Sequence, residues 1–308
     1  MTDFAIQTSQ LVKTYSQGPL FGKKINAVDG LSLNVPAGSI YGLLGRNSAG
    51  KSTTIRMAMG LARPNSGTIR VFGLDPGRDP SRVEVLRQVG YVPEDKTQIG
   101  YTARKLLELN RSFYPETWSD ELARKVCDRL ELPLNQQFLR LSLGNKTKTA
   151  LAMAIAQRSR LLILDEPTTG LDPMAMDELL RLLVEECTAE GRTIFLSTHQ
   201  LPEIERIADY IGIMDRGKLL LEGRLDDIRA SFRRLVVVGS ALPVSAPEVL
   251  ISRNDARGKQ YILRSAPEAF TRQLHANGAT VVESSPLSLN EIFIELCRKE
   301  EGKEEVAA

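Results

Sequence analysis

The chain is poor in the residues that staple or metallate a fold. Its 308 residues hold three cysteines, Cys127, Cys187 and Cys297, an odd and widely scattered set. That excludes a disulfide framework and any Cys/His metal-ligand spacing, and it fits a reducing cytoplasm. Histidine occurs twice, at 199 and 275, and tryptophan once, at 118. No uninterrupted apolar run approaches the ~18 to 20 residues that cross a bilayer. The opening Met1-Thr2-Asp3-Phe4 lacks the basic and apolar regions of a secretory signal. Lys+Arg number 40 against 38 Asp+Glu, a net charge of +2, so no basic footprint for nucleic acid is present. What is abundant is apolar side chain: at 42% hydrophobic, a chain of this length holds ample core and has a prior of about two domains.

Against this plain composition, Gly45-Arg46-Asn47-Ser48-Ala49-Gly50-Lys51-Ser52 stands out. The short apolar run Ile40–Leu44 reads as a buried strand, and Ser52-Thr53-Thr54-Ile55-Arg56-Met57 begins a helix with apolar residues at helical spacing. The loop between them has the chemistry of a phosphate cradle. Gly45 and Gly50 let the backbone curl so that the NH groups of the run from Asn47 through Ser48, Ala49 and Gly50 to Thr53 turn toward an anion, aided by the helix dipole. Lys51 supplies a point charge for the β and γ phosphates. The Ser52 hydroxyl suits Mg²⁺, a hard cation that takes few protein ligands.

Downstream, Leu161-Leu162-Ile163-Leu164-Asp165-Glu166 reads as a fully buried central strand ending in two acids. Ligands sit beyond the carboxyl ends of strands in an open parallel sheet. Asp165 is therefore expected to hold Mg²⁺ through water, and Glu166 to polarise the water that attacks the γ phosphate of ATP. The apolar run Thr193–Leu196 is a further strand, and His199 follows its carboxyl end. His275 belongs to a surface helix and takes no role.

These motifs and three others carry a resemblance. Leu141-Ser142-Leu143-Gly144-Asn145 resembles the signature of ABC transporter ATP-binding subunits, Thr169-Gly170-Leu171-Asp172-Pro173 their D-loop, and Ser197-Thr198-His199 their switch histidine. All stand in the family's order across the first three quarters of the chain. The resemblance implies an α/β fold: a P-loop ATPase core with an antiparallel β subdomain and a helical subdomain. It implies that Tyr15 stacks on adenine, that Glu94 occupies the Q-loop position near Mg²⁺, that His199 senses the γ phosphate, and that Asp172 lies where subunits meet. It also implies a cytoplasmic location, peripheral on the inner face of the cell membrane, with the pore in a separate permease subunit.

One signature and one phosphate loop per chain imply that each ATP is clamped between two subunits, so a second nucleotide-binding subunit is required. A helix starting near Ser142 aims its free NH groups at the partner's γ phosphate, with Gly144 allowing close approach; Ser142 also reads as a plain N-cap. The chain departs from the family pattern at Leu143 (usually Gly), Asn145 (usually Gln), Glu94 (usually Gln, with Gln98 a nearby alternative) and Ser48 (often Gly). Tyr15 has the reading of an ordinary strand tyrosine as its alternative. The cluster Phe113-Tyr114-Pro115-Glu116-Thr117-Trp118 is either a socket for a permease helix or a small core under a helical hairpin.

The expected organisation is an ATP-binding domain over 1–231, its helical subdomain about 96–145, a small α+β accessory domain over 232–300, and a frayed tail over 301–308. Ser16-Gln17-Gly18-Pro19 marks a turn between short strands near the adenine. Ser265–Glu268 and Ser288–Glu291 read as capping boxes opening helices in the accessory domain. Two function classes follow: an ATPase that powers a membrane exporter, or a soluble mechanochemical or regulatory ATPase of the same family without a transport pathway.

Overall fold

A long strand, β1 (Phe4–Ser16), opens the chain, followed by β2 (Lys24–Leu31) and β3 (Asn34–Pro36). The computed structural model describes residues 3–16, 24–96, 99–239, 246, 248–264 and 267–307; the expected turn at Gln17–Pro19, Gln98 and the first capping serine, Ser265, lie outside them. Where a run of short strands was expected, the first 13-residue strand is continuous. Its pairing with β2 slips twice between Leu11 and Thr14, so one strand changes alternation along its length.

β4 (Ile40–Gly45) is buried at every residue, as a strand covered on both faces must be. It runs into α1 (Lys51–Ala58), and then β5 (Ser66–Val71) returns to pair antiparallel with β1. After α2 (Ser81–Gln88) and β6 (Val89–Val92) come two amphipathic helices, α3 (Ala103–Phe113) and α4 (Asp120–Arg129). Thr102 caps the first by accepting from Lys105 N at 3.2 Å, and Ser119 caps the second by accepting from Leu122 N at 3.2 Å. They pack on α5 (Leu143–Ala156), whose alanine-rich second half is buried.

The chain returns through β7 (Leu161–Asp165), α6 (Pro173–Glu190), β8 (Thr193–Thr198), α7 (Leu201–Ile207), β9 (Tyr210–Asp215) and β10 (Lys218–Arg224). The central sheet has the order β10-β9-β4-β8-β7-β6. β9, β4, β8, β7 and β6 are mutually parallel, so the ends of β4, β8 and β7 emerge side by side. Every residue of β7 and β8 is buried, each aliphatic side chain contributing about 1.5–3 kcal/mol. Tyr41 and Phe195 stack with ring centroids 5.6 Å apart, and Leu11, Leu31, Leu43, Ile55 and Ile163 join them in one core.

Contacts divide the chain into two compact units, Met1–Glu222 and Gly223–Ala308. The second holds α8 (Leu225–Ser231), β11 (Phe232–Val238), β12 (Val249–Asp255), β13 (Gly258–Arg264), α9 (Pro267–Ala276), β14 (Thr280–Pro286) and α10 (Leu289–Ala307). Its antiparallel sheet has the order β12-β13-β11-β14. Leu235, Tyr261, Phe270 and Leu274 pack in its core. The Ser288 capping box is formed in both directions: Glu291 N donates to Ser288 Oγ (3.3 Å), and Ser288 N donates to Glu291 Oε2 (2.9 Å). His275 lies exposed on α9. The whole is a P-loop α/β core with antiparallel β and helical subdomains and a smaller α+β region, as expected from the sequence.

Candidate functional site

Glycine sets the shape of the loop between β4 and α1. Gly50 has φ +105°, and a Cβ there would lie 2.2 Å from the Ala27 carbonyl oxygen; a Cβ on Gly45 would lie 2.5 Å from that of Met214. Neither carbonyl can retreat without moving a strand, so both positions need glycine. Ser48, the departure inside the loop, itself adopts φ 66°. Thr54 N donates to Gly50 O at 2.9 Å, closing the first turn of α1 onto the loop.

Lys51 is the first residue of α1 and is 5% exposed. Its ammonium donates to Gly45 O at 2.7 Å and Arg46 O at 3.3 Å, and lies 3.4 Å from Glu166 Oε1. Glu166 leaves β7 in the left-handed region, φ 49°. That turn carries its side chain away from the buried strand toward Lys51 on one side and His199 on the other, with Glu166 Oε2 2.9 Å from His199 Nδ1. Its own amide donates to Ser197 O at 3.0 Å, locking the turn to β8.

Asp165, one residue earlier, is 2% exposed. It accepts from Ser52 Oγ at 3.2 Å and, more closely, from Ser197 Oγ. Burial pushes its carboxyl above the ordinary range, against the lowering effect of the two serine hydroxyls. This pairing of a helix-start hydroxyl with a buried carboxylate is the hard-oxygen set that Mg²⁺ accepts alongside its own waters. Glu94 sits nearby and is exposed; partial burial raises it first, then the charges of Asp165 and Glu166. Tyr91, on β6, is pushed up to about 12, chiefly by burial and then by Asp165.

A cleft of about 570 Å³ brings most of these together: Tyr15, Asn47, Ser48, Ala49, Gly50, Lys51, Ser52, Thr53, Glu94 and Glu166 line it, with Ile25 and Ala27. Tyr15 stands at the rim, 40% exposed, with the Lys13 ammonium 5.1 Å from its ring centroid. Among the described residues, Gly45, Asp165, His199, Ser142, Gly144 and Asp172 do not line the cleft; the first three are joined to it through Lys51, Ser52 and Glu166. Ser142 caps α5, accepting from Asn145 N at 3.2 Å, and Leu143 beside it is 48% exposed. Asp172 caps α6, accepting from Ala175 N at 2.9 Å; that amide holds its carboxyl below the usual range. The two segments touch. A Cβ on Gly144 would lie 2.3 Å from Gly170 O, so the signature turn and the D-loop meet backbone to backbone.

Sequence reasoning missed Ser197, which holds Asp165, and a buried group around Glu203, which bonds Thr168 and Thr198. The available signal was a row of hydroxyls flanking the acidic pair and the histidine, Thr168, Ser197 and Thr198, with an acid four residues past His199. The aromatic segment divides: Phe113 is 75% exposed and lines a largely apolar groove of about 410 Å³ with Leu106, Tyr101 and Met153, while Trp118 Nε1 donates to Asp120 at 2.9 Å.

A strand–loop–helix phosphate cradle beside a buried acidic pair defines a P-loop nucleoside triphosphatase. Comparison with known proteins narrows the class. The ABC transporter family model matches residues 28–169. The bacitracin transport ATP-binding protein BcrA of Bacillus licheniformis is 38% identical over 230 residues, 73% of this chain and 74% of that protein. Nod factor export ATP-binding protein I of Rhizobium meliloti (strain 1021) is 34% identical over 315 residues, 96% and 89% of the two chains. A solved ATP-binding subunit of an ABC transporter superposes with TM-score 0.63 at 30% identity, covering 73% of this chain and 92% of that one. The chain belongs to the ATP-binding subunits of the ABC transporter family, and is an ATP-binding and ATP-hydrolysing ABC ATPase homologous to those of exporters.

Proposed function

We propose that the chain powers a membrane exporter by closing with a second nucleotide-binding subunit, identical or homologous, around ATP. One observation carries this reading. Asn47 to Thr53 and Glu166 line one cleft, and Gly45, Asp165 and His199 are bonded to Lys51, Ser52 and Glu166 within it, while the helix start at Ser142 and Gly144 lies outside it. One chain therefore holds half of each site, and the other half comes from the signature of a partner.

Within the cleft, the backbone from Asn47 to Thr53 and the Lys51 ammonium hold the phosphates, and Tyr15 stacks on adenine. Ser52 and Asp165 would hold Mg²⁺, with Glu94 at its outer side; the cation neutralises phosphate charge as the γ phosphoryl leaves. Glu166 takes the proton of the attacking water as general base, and His199 orients Glu166 and senses the γ phosphate. Asp172 meets the partner subunit. The groove beside Phe113 receives a helix of the permease, so the aromatic segment divides between socket and support. In this reading the ATPase domain runs over 1–231 and the remaining unit acts in regulation or subunit contact. The Nod factor export relative supports export, and the bacitracin transport relative supports transport. No helix among the described residues is long and apolar enough to cross a membrane, and a position on the inner membrane face follows from the permease contact.

The test is recovery of the tagged chain from native membranes with identification of what accompanies it. An integral membrane protein in stoichiometric amount is expected. Recovery alone, or with ribosomes or DNA factors, would replace this reading with the soluble mechanochemical or regulatory one.

A further inference from the structure

Glu203 is a buried carboxylate for which the nucleotide cleft has no use. It lies on α7, 2% exposed, and does not line the cleft. Its two oxygens are divided between two segments. Thr168 Oγ1 donates to Oε1 at 2.5 Å, and Thr198 Oγ1 donates to Oε2 at 3.2 Å. Both threonines are buried, at 4% and 0%. Thr168 stands two residues after Glu166, in the turn that Thr169 N closes onto Glu166 O at 3.2 Å. Thr198 immediately precedes His199 and also accepts from Gln200 N at 3.0 Å. One carboxylate thus ties down the two backbone segments that aim Glu166 and His199 at each other.

The helix that carries Glu203 is itself fixed. Ile204 fills the notch over Gly42 of β4, where a Cβ would lie 2.3 Å from Ile204 Cδ1. α7 is thereby keyed to the strand that enters the phosphate loop, and through Glu203 to the ends of β7 and β8. A buried carboxylate is costly unless its lone pairs are met, and here each oxygen has a hydroxyl partner. We propose that Glu203 is a positioning residue for hydrolysis: a strap that sets the distance between Glu166 and His199 without touching nucleotide. This rests on the reading of Glu166 as general base.

The chemistry makes distinct demands on each substitution. Glutamine preserves length, accepts from Thr168 and can donate to Thr198 Oγ1. Alanine releases both segments. Thr168→Val keeps volume and removes one arm, so it tests the strap even if Glu203→Ala fails to fold. The measurement is kcat per bound nucleotide at saturating MgATP, beside KM, the nucleotide Kd and the melting temperature, with Glu166→Gln run in parallel.

Misplacing a reacting group by about an ångström costs up to ~100-fold. Glu203→Ala is therefore expected to lose roughly 10- to 100-fold in kcat per site, and Thr168→Val roughly 10-fold, with KM and Kd held within about 3-fold. Glu203→Gln should recover to within about 3-fold of the parent, because the geometry and most of the hydrogen bonding survive. A merely structural carboxylate would lower the melting temperature and the number of competent sites, leaving kcat per site intact. Parental kcat per site in Glu203→Ala and Thr168→Val overturns the strap, as does a Glu203→Gln variant as slow as Glu203→Ala. If Glu166→Gln itself turns over at the parental rate, the base assignment fails instead, whatever Glu203 does.

Discussion

Lys51 pairs with Glu166 and, in the proposed function, holds phosphate, and the two roles separate experimentally. Its ammonium stands 3.4 Å from Glu166 Oε1, with side chains only 6% exposed on both sides. At an effective dielectric near 20, charges that far apart attract by about 5 kcal/mol. Removing one member of a buried pair leaves the other uncompensated, at a cost of about 3–5 kcal/mol. His199 keeps its contact with the other oxygen of Glu166, so the lower end applies: Lys51→Met should destabilise the protein by about 3 kcal/mol. The double variant Lys51→Met with Glu166→Gln should recover about half of that loss, since no unpaired charge remains while Gly45 O still lacks its donor. Nucleotide affinity should behave otherwise. It falls at least about 10-fold in the single variant and stays low in the double, because the phosphate-facing charge is gone in both. Urea unfolding read from Trp118, the only tryptophan and a residue of the first unit, gives the stabilities; titration with a fluorescent ATP analogue gives the affinities. Equal stability of parent and Lys51→Met, or a double variant no more stable than the single, refutes the pairing argument.

Glu166→Gln should lower phosphate release by about 100- to 10,000-fold while leaving MgATP binding intact, and size-exclusion chromatography with MgATP should show a dimer that the parent does not accumulate; parental turnover would remove the base assignment. Tyr15→Ala should weaken ATP binding by about 1–3 kcal/mol, the worth of one stacked base, with Tyr15→Phe close to the parent; equal affinity for ATP in Tyr15→Ala would return Tyr15 to an ordinary strand role. In the C-terminal unit, Arg234 and then the Ser288 amide and hydroxyl hold Glu291 at about 2, below its ordinary 4.5. Its stabilisation is therefore complete above pH 4.5 and is lost as pH falls toward 2. Discounted for a side chain 36% exposed, this is about 1 kcal/mol. The gap in melting temperature between the parent and Glu291→Gln should narrow on acidification from about pH 6 to 3 and close only near pH 2; a gap that stays constant means that the ion pair contributes nothing.

The parts of the molecule written as contiguous residues were legible in the sequence. The phosphate loop and the strand Leu161–Asp165 announce themselves because glycine, lysine and acid sit beside unbroken aliphatic runs, and Ser142 and Ser288 because a cap needs only its own helix. Less legible were elements whose partners are remote. β5 buries only Ile69 and Val71, a weak signal until β1 supplies its pairing. β12 ends in Ser-Arg-Asn-Asp, a run that reads as loop until β13 is placed beside it. β1 hides its alternation behind two register shifts and a positive φ at Gln10. The site shows the same division. Asp165 and Glu166 could be chosen from sequence, but Ser197, Thr168 and Glu203 become partners only when parallel pairing sets β7 against β8.

The backbone contact between Gly144 and Gly170 bears on how such a chain can diverge. Leu143, next to that contact, is 48% exposed, yet its side chain covers the D-loop glycine: a Cβ on Gly170 would lie 2.9 Å from Leu143 Cγ. Position 144 has no latitude at all: its α-carbon is the spacer between the signature turn and the D-loop, and any side chain would push them apart. Position 143 tolerates a change of side chain only on its exposed side, and position 144 tolerates none. The signature turn and the D-loop therefore move as one piece: whatever displaces either of them displaces both.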